Sequence, residues 1–96
     1  MEKTFHVYLL ADRPYGTLYL GVTSNLAQRV YQHKTNAFDG FSKKYGTKFL
    51  VWYEAYSTAL EAIAAEKKYK KWRRQWKKDM VTQFNPQWRD LADSLN

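Results

Sequence analysis

Apolar and polar positions alternate in one way through the first half of the chain and in another through the second. Phe5 to Leu10, FHVYLL, is a mostly apolar run with β-branched and aromatic residues and predicts a strand. Asp12-Arg13-Pro14-Tyr15-Gly16 follows with turn chemistry, Pro fixing φ and Gly permitting φ > 0. Thr17 to Val22 predicts a second strand, and so short a connection implies an antiparallel hairpin. Ser24 or Asn25 caps a helix from about Asn25 to Thr35. Residues 36–47, NAFDGFSKKYGT, carry two glycines and read as a loop. Lys48 to Tyr56 predicts a third strand, KFLVWYEAY. Its apolar residues fall on both parities, which predicts burial on both faces and a central place in the sheet.

The second half changes period. Thr58-Ala59-Leu60-Glu61 has the spacing of a capping box. It opens a predicted helix from about Ala59 to Trp72. Arg73 to Gln83 predicts another helix or a kinked continuation. Asn85-Pro86 predicts a last short helix, with Asn as cap and Pro at the first helical position. The order predicts a small α/β (α+β) fold: a three-stranded sheet with an N-terminal antiparallel hairpin, flanked by three to five helices. Repeats and linkers are absent. The 96 residues predict one domain, with a core of about 5–76 and a helical extension over 77–96.

Composition narrows the function classes. Without cysteine, disulfide scaffolds and thiolate metal sites are excluded. No apolar run approaches the ~20 residues of a membrane span. The start, MEKTFHVYLL, has an acid and too short an apolar stretch for a signal peptide, which predicts a cytoplasmic protein. The formal net charge of +7 favours a polyanionic partner, nucleic acid first.

Candidate chemistry clusters in three places. Strand alternation puts His6, Tyr8 and Leu10 on one face of the first strand, and Tyr19 and Gly21 on one face of the second. Pairing of Tyr8 near Tyr19 sets two phenols side by side, as a reactive pair or as an ordinary cross-strand aromatic pair. On the first predicted helix Leu26 and Val30 are the apolar positions. Arg29 and His33 flank them, either as a phosphate fork beside an acid–base group or as a solvated flank. On the later helix Ala59, Ala62, Ile63, Glu66 and Tyr69 share a face. A glutamate at the edge of a packing face is costly unless it is paired, with Lys70 for example, or binds a metal. Glu61 reads as surface and capping. Eight of the thirteen residues in EKKYKKWRRQWKK, 66–78, are basic. Lys67, Lys70, Lys71, Arg73 and Arg74 read as a phosphate-facing surface that Lys43 and Lys44 extend. The interleaved Tyr69, Trp72 and Trp76 recur at three and four, which predicts the buried stripe of an amphipathic helix.

Together these residues resemble the GIY-YIG nuclease superfamily, from about Phe5 to Trp76. Its two signatures stand here as His6-Val7-Tyr8 and Tyr19-Leu20-Gly21. The helix NLAQRVYQHK supplies Arg29 and His33, and ALEAIAAEKKYKKW supplies Glu66. The look is closest to small stand-alone bacterial members, similar to the N-terminal catalytic domain of the excision-repair endonuclease. Where some relatives carry a lysine after the second signature, this chain has Val22-Thr23. Where some carry a downstream asparagine, the region is Arg74 to Lys78. The resemblance implies hydrolysis of a DNA phosphodiester with one divalent metal, Mg²⁺ or Mn²⁺, by an endonuclease of the repair or recombination type that is either nicking or structure-selective. It implies Glu66 as the metal ligand, Arg29 on the scissile phosphate, Tyr8 or Tyr19 as acceptor of the water's proton, directly or by relay, and His33 as a hydrogen-bonding partner of a tyrosine, the phosphate or the water that shares the base role. A nucleic-acid-binding module with a vestigial site and a protein-interaction domain with basic helices are the alternatives.

Overall fold

The computed structural model describes residues 3–35 and 41–95. The elements run β1 (Phe5–Ala11), β2 (Leu18–Thr23), α1 (Leu26–Lys34), α2 (Phe41–Tyr45), β3 (Phe49–Tyr56), α3 (Ala59–Lys70) and α4 (Arg74–Phe84), with a 3-10 segment at Leu91–Leu95. The sheet is antiparallel throughout, in the order β2-β1-β3.

β1, not β3, is therefore central. The apolar run of β3 has a different cause. The ladder pairs Leu9 with Trp52 and Leu10 with Leu50, so Val51 is an extra residue in a bulge. The bulge shifts the side-chain phase, and Val51 and Trp52 both face one core cluster while Leu50 faces the other. Apolar residues on both parities report a sheet covered on both sides, which an edge strand can satisfy as well as a central one.

One face of the sheet carries Val7, Leu9 and Ala11 of β1 against Ala62, Ala65 and Tyr69 of α3, Val81 of α4, and Trp88. The other carries Tyr8 and Leu10 against Leu26 and Val30 of α1, with Leu91, Ala92 and Leu95 packed behind. The alternation expected for β1 and β2 is thus present. The hairpin turn differs from the expectation in detail. Positive φ falls on Tyr15, at 60°. Gly16 is needed for another reason: a Cβ there would lie 2.1 Å from Asp12 Oδ1, the oxygen that accepts from the Thr17 N–H at 2.7 Å.

Local signals placed the helix starts well. Asn25 caps α1 by accepting from the Gln28 N–H, and Thr58 caps α3 by accepting from the Glu61 N–H. Glu61 completes that cap, accepting from the Thr58 hydroxyl at 2.8 Å. Elsewhere the structure corrects the reading. The presumed loop 36–47 contains α2; residues 36–40 of it lie outside the described residues. α3 ends at Lys70, where 3-10-type bonds from the Lys71 and Trp72 N–H groups to the Lys68 and Tyr69 carbonyls close the last turn. The break at 71–73 resets the helical phase. Tyr69 is buried, Trp72 is half-buried, and Trp76 stands exposed instead of continuing the stripe. On α3 the packing positions are Ala62, Ala65 and Tyr69, whereas Ala59 and Ile63 are exposed.

Asn85-Pro86 starts no helix; it opens a turn into a non-helical stretch. Asn85 is buried, donates to the Val51 and Arg89 carbonyls and accepts from the Arg89 N–H. Asp90 Oδ1 accepts from the Leu50 N–H at 3.1 Å, and its Oδ2 pairs with Lys34 at 2.5 Å. Tyr15 from the hairpin turn rests on Trp88 with ring centroids 5.0 Å apart. Backbone groups of an edge strand need partners outside the ladder. The C-terminal stretch supplies two to β3, Asp90 for the Leu50 N–H and Asn85 for the Val51 carbonyl. Among the described residues no strand pairs with the opposite edge, β2.

Candidate active site

The candidate site lies along β2. A cleft of about 380 Å³ runs along β2 and is lined by Leu18 to Val22, by Tyr8 of β1, by Arg29 of α1 and by Glu66 and Lys70 of α3. α1 covers one face of the sheet and α3 the other, so Arg29 and Glu66 arrive from opposite sides of the strand. A second and larger concavity of about 850 Å³, between His6, Tyr53, the start of α1 and Leu95, gathers no carboxylate and no arginine among the described residues.

Glycine makes the meeting possible. Gly21 pairs directly with Tyr8 across the hairpin, and an added Cβ would lie 2.4 Å from the Tyr8 hydroxyl oxygen. The phenol therefore lies over the glycine. Tyr19 pairs with Leu10, so the two tyrosines are diagonal neighbours, with ring centroids 6.3 Å apart. His33 fits against both. Its ring lies 6.0 Å from that of Tyr8 and 5.1 Å from that of Tyr19, and its Nε2 hydrogen-bonds the Tyr8 hydroxyl at 3.3 Å. With only 5% of its surface exposed, His33 belongs to the buried stripe Leu26, Val30, His33 and not to a solvated flank.

Burial sets the protonation states. Tyr8 is 1% exposed, and desolvation, with the nearby Tyr19 adding to it, drives its pKa above the ordinary phenol value. It stays a neutral O–H. Desolvation, helped by the Arg29 guanidinium, pulls His33 below its ordinary value, which keeps the imidazole neutral near pH 7. Glu66, with its side chain 17% exposed, pairs with the more exposed Lys70 at 3.5 Å. A pair with so solvated a partner is weak and yields readily to a stronger cation.

A model of the GIY-YIG catalytic domain matches residues 4–79. This chain belongs to the GIY-YIG family. The GIY-YIG domain is a nuclease domain that acts on nucleic acid and generally depends on a divalent metal. The chain is 30% identical over 80 residues to a UPF0213 protein of Bacillus pumilus, covering 83% of this chain and 81% of that one. It is also similar to the solution NMR structure of a UPF0213 protein from Bacillus halodurans. There the TM-score is 0.51 at 25% identity, over 82% of this chain and 83% of that one.

The GIY-YIG cleft of this chain brings together Tyr8, Tyr19, Arg29 and Glu66, with His33 buried directly behind the phenols. Val22 and Lys70 both line the cleft, the lysine from α3. Lys67, Lys71, Arg73 and Arg74 are exposed on and after α3, outside the cleft lining, and Lys43 and Lys44 are exposed on α2. Sequence reasoning missed the tertiary roles of Asn85 and Asp90; Asp90 holds α1 through Lys34, on the helix that bears Arg29 and His33. No local pattern announces those contacts. Among the described residues no three His, Cys, Asp or Glu side chains gather into an all-protein metal cage. A magnesium-type site does not need one, because that ion keeps several waters and binds through one or two carboxylates plus substrate phosphate. The single half-buried Glu66 facing an open cleft fits that requirement. No helix is long and apolar enough to cross a membrane among the described residues.

Proposed function

We propose that the chain is a divalent-metal-dependent endonuclease that nicks DNA, with Tyr8, Tyr19, Arg29, His33 and Glu66 as its site. The observation that supports it best is convergence: side chains from β1, β2, α1 and α3 meet at one cleft beside a glycine that leaves them room.

The scissile phosphate is already anionic, so attack requires charge neutralisation before anything else. Arg29 supplies a planar fork of donors to the phosphate, and Lys70 adds a second positive charge at the far wall. Glu66 would hold Mg²⁺ or Mn²⁺, releasing Lys70 to the phosphate. When bound, the metal neutralises the phosphate and stabilises the leaving 3′ oxygen. Tyr19 is the phenol with solvent access, and it meets the attacking water. Tyr8, held neutral by burial, orients His33 and acts as a positioning residue. The neutral His33, whose ring lies 5.1 Å from that of Tyr19, would take the Tyr19 hydroxyl proton as that oxygen accepts the water's. The basic residues Lys67, Lys71, Arg73 and Arg74, with Lys43 and Lys44, hold the flanking phosphates.

A second reading, a nucleic-acid-binding module that does not cut, draws on the Glu66–Lys70 pair, since Glu66 is the one carboxylate lining the cleft among the described residues. Incubation with supercoiled plasmid in Mg²⁺, Mn²⁺ or EDTA separates the two. The endonuclease reading expects nicking in metal that EDTA, Glu66→Ala and Arg29→Ala abolish. Equal gel shifts by all three proteins, with no nicks, would establish the second reading. Nicking that persists in Glu66→Ala would remove that residue from the metal.

A further inference from the structure

Trp76 is 50% exposed on the first turns of α4. It does little for the fold, since both core clusters form without it. Its indole meets Trp72 edge to face, with centroids 6.1 Å apart, and the Arg73 guanidinium lies 5.5 Å from its ring. A single exposed apolar side chain is ordinary on a protein surface, and Trp76 is one of several here; what sets it apart is the company it keeps. Lys71, Arg73 and Arg74 are exposed around the start of α4, and Lys77 and Lys78 follow within the next turn.

The arrangement of charge is unfavourable to the helix itself. The positive end of a helix favours acidic residues, yet the first turn of α4 has none, and Arg73 at its cap makes no capping side-chain bond. Asp79, the acid nearest in sequence, is occupied in accepting from Gln75 at 2.9 Å. Lys77 is pushed below its ordinary pKa by burial and by Arg74. Crowded cations around an exposed aromatic ring suit one occupant. A nucleotide offers phosphate to the cations and a flat π-face to the indole, whereas a base paired inside a duplex keeps its faces stacked and cannot reach it.

The geometry points to Trp76, with Arg73 and Arg74, as a stacking subsite for an unpaired base of the DNA strand. The substrate class is then DNA carrying a single-stranded stretch, such as a gap, flap or loop, in preference to uninterrupted duplex. The inference rests on the reading of the chain as a nucleic-acid enzyme and specifies its substrate.

Fluorescence anisotropy at one fixed ionic strength tests it, using a single-stranded and a double-stranded DNA oligonucleotide of equal length. Trp76→Ala should weaken single-strand binding roughly 5- to 100-fold and duplex binding less than about twofold, because only an unpaired base presents its face. Trp76→Phe should restore most of the single-strand affinity, since any aromatic face stacks; circular dichroism verifies that both variants are folded. Equal losses on the two oligonucleotides, or no loss on the single strand, would overturn the subsite. If wild type nicks plasmid but Trp76→Ala discriminates no less between the strands, the subsite alone fails. If wild type binds neither oligonucleotide, the nucleic-acid reading fails and takes the subsite with it.

Discussion

Gly21→Ala is the sharpest test of how the cleft is assembled, because two physical arguments give it opposite signs. Alanine in the middle of a strand is ordinarily preferred to glycine by about 0.5–1 kcal/mol, since glycine loses more backbone entropy on folding. By that argument the variant gains stability. The packing says otherwise. The new methyl would lie 2.4 Å from the Tyr8 hydroxyl oxygen, 2.5 Å from Cζ and 2.9 Å from Cε1. Tyr8 is 1% exposed and its hydroxyl is bonded to His33, so swinging the ring toward the cleft it lines breaks that bond. Restoring a normal contact requires a shift of about 1 Å, and overpacking of this kind costs roughly 1–3 kcal/mol. Stretching the Tyr8–His33 bond adds about 1 kcal/mol. After the propensity gain is subtracted, a net destabilisation of about 2 kcal/mol remains, from the overpacking range above. For a domain of this size that lowers Tm by roughly 10 °C. Thermal denaturation followed by circular dichroism reads it directly. Repeating the substitution in a Tyr8→Leu background completes a double-mutant cycle, in which most of the penalty should vanish. A Tm within about 2 °C of wild type, or a penalty unchanged by Tyr8→Leu, would refute the claim that Gly21 exists to accommodate that phenol.

Three further outcomes follow from particular contacts. Both His6 and His33 have pKa values lowered by burial, so the unfolded chain binds protons that the folded chain refuses. Stability is therefore full above the ordinary histidine value of about 6.5 and falls as pH drops below it, through the folded pKa values. Urea midpoints near neutrality and in mild acid should show that fall, and His33→Gln should flatten it; a midpoint that rises on acidification contradicts the sign. Asp90→Ala strips the Leu50 N–H of its acceptor and Lys34 of its partner, with an expected loss of about 2 kcal/mol in urea unfolding, whereas Asp90→Asn keeps an acceptor and loses less. Indifference to Asp90→Ala would show that the C-terminal stretch does not hold the β3 edge. Finally, DNA affinity should fall steeply with salt, and Arg73→Ala or Arg74→Ala should each reduce the logarithmic slope by about 1. An unchanged slope would take that arginine off the phosphates.

Much of the site was legible because its pieces are local. Tyr8 on one face of β1, Tyr19 and Gly21 on one face of β2, and the Asn25 and Thr58 caps all follow from two-residue alternation or from a side chain bonding an N–H three residues on. The spacing of Arg29 and His33, and the place of Glu66 one turn before Lys70, follow from helical geometry. Family resemblance then grouped residues that periodicity alone left separate.

The tertiary structure decided what depends on contacts distant in the chain. Whether β1 or β3 is central turns on which edges pair, and the bulge at Val51 imitates the pattern of a central strand. His33 is inside because the second core cluster closes over α1, although its sequence neighbours are polar. Trp76 is outside because α3 ends at Lys70 and α4 begins on a new phase. Asn85 and Asp90 act on β3 across more than thirty residues of chain, as partners for the backbone of an edge strand. By itself the sequence determined the elements, their faces and the chemical kinds of residue available, since these are short-range properties of the chain. The packing determined which edge the C-terminal stretch backs, because that choice is made by side chains satisfying backbone groups far away in sequence, and the cleft lies along the other edge, β2.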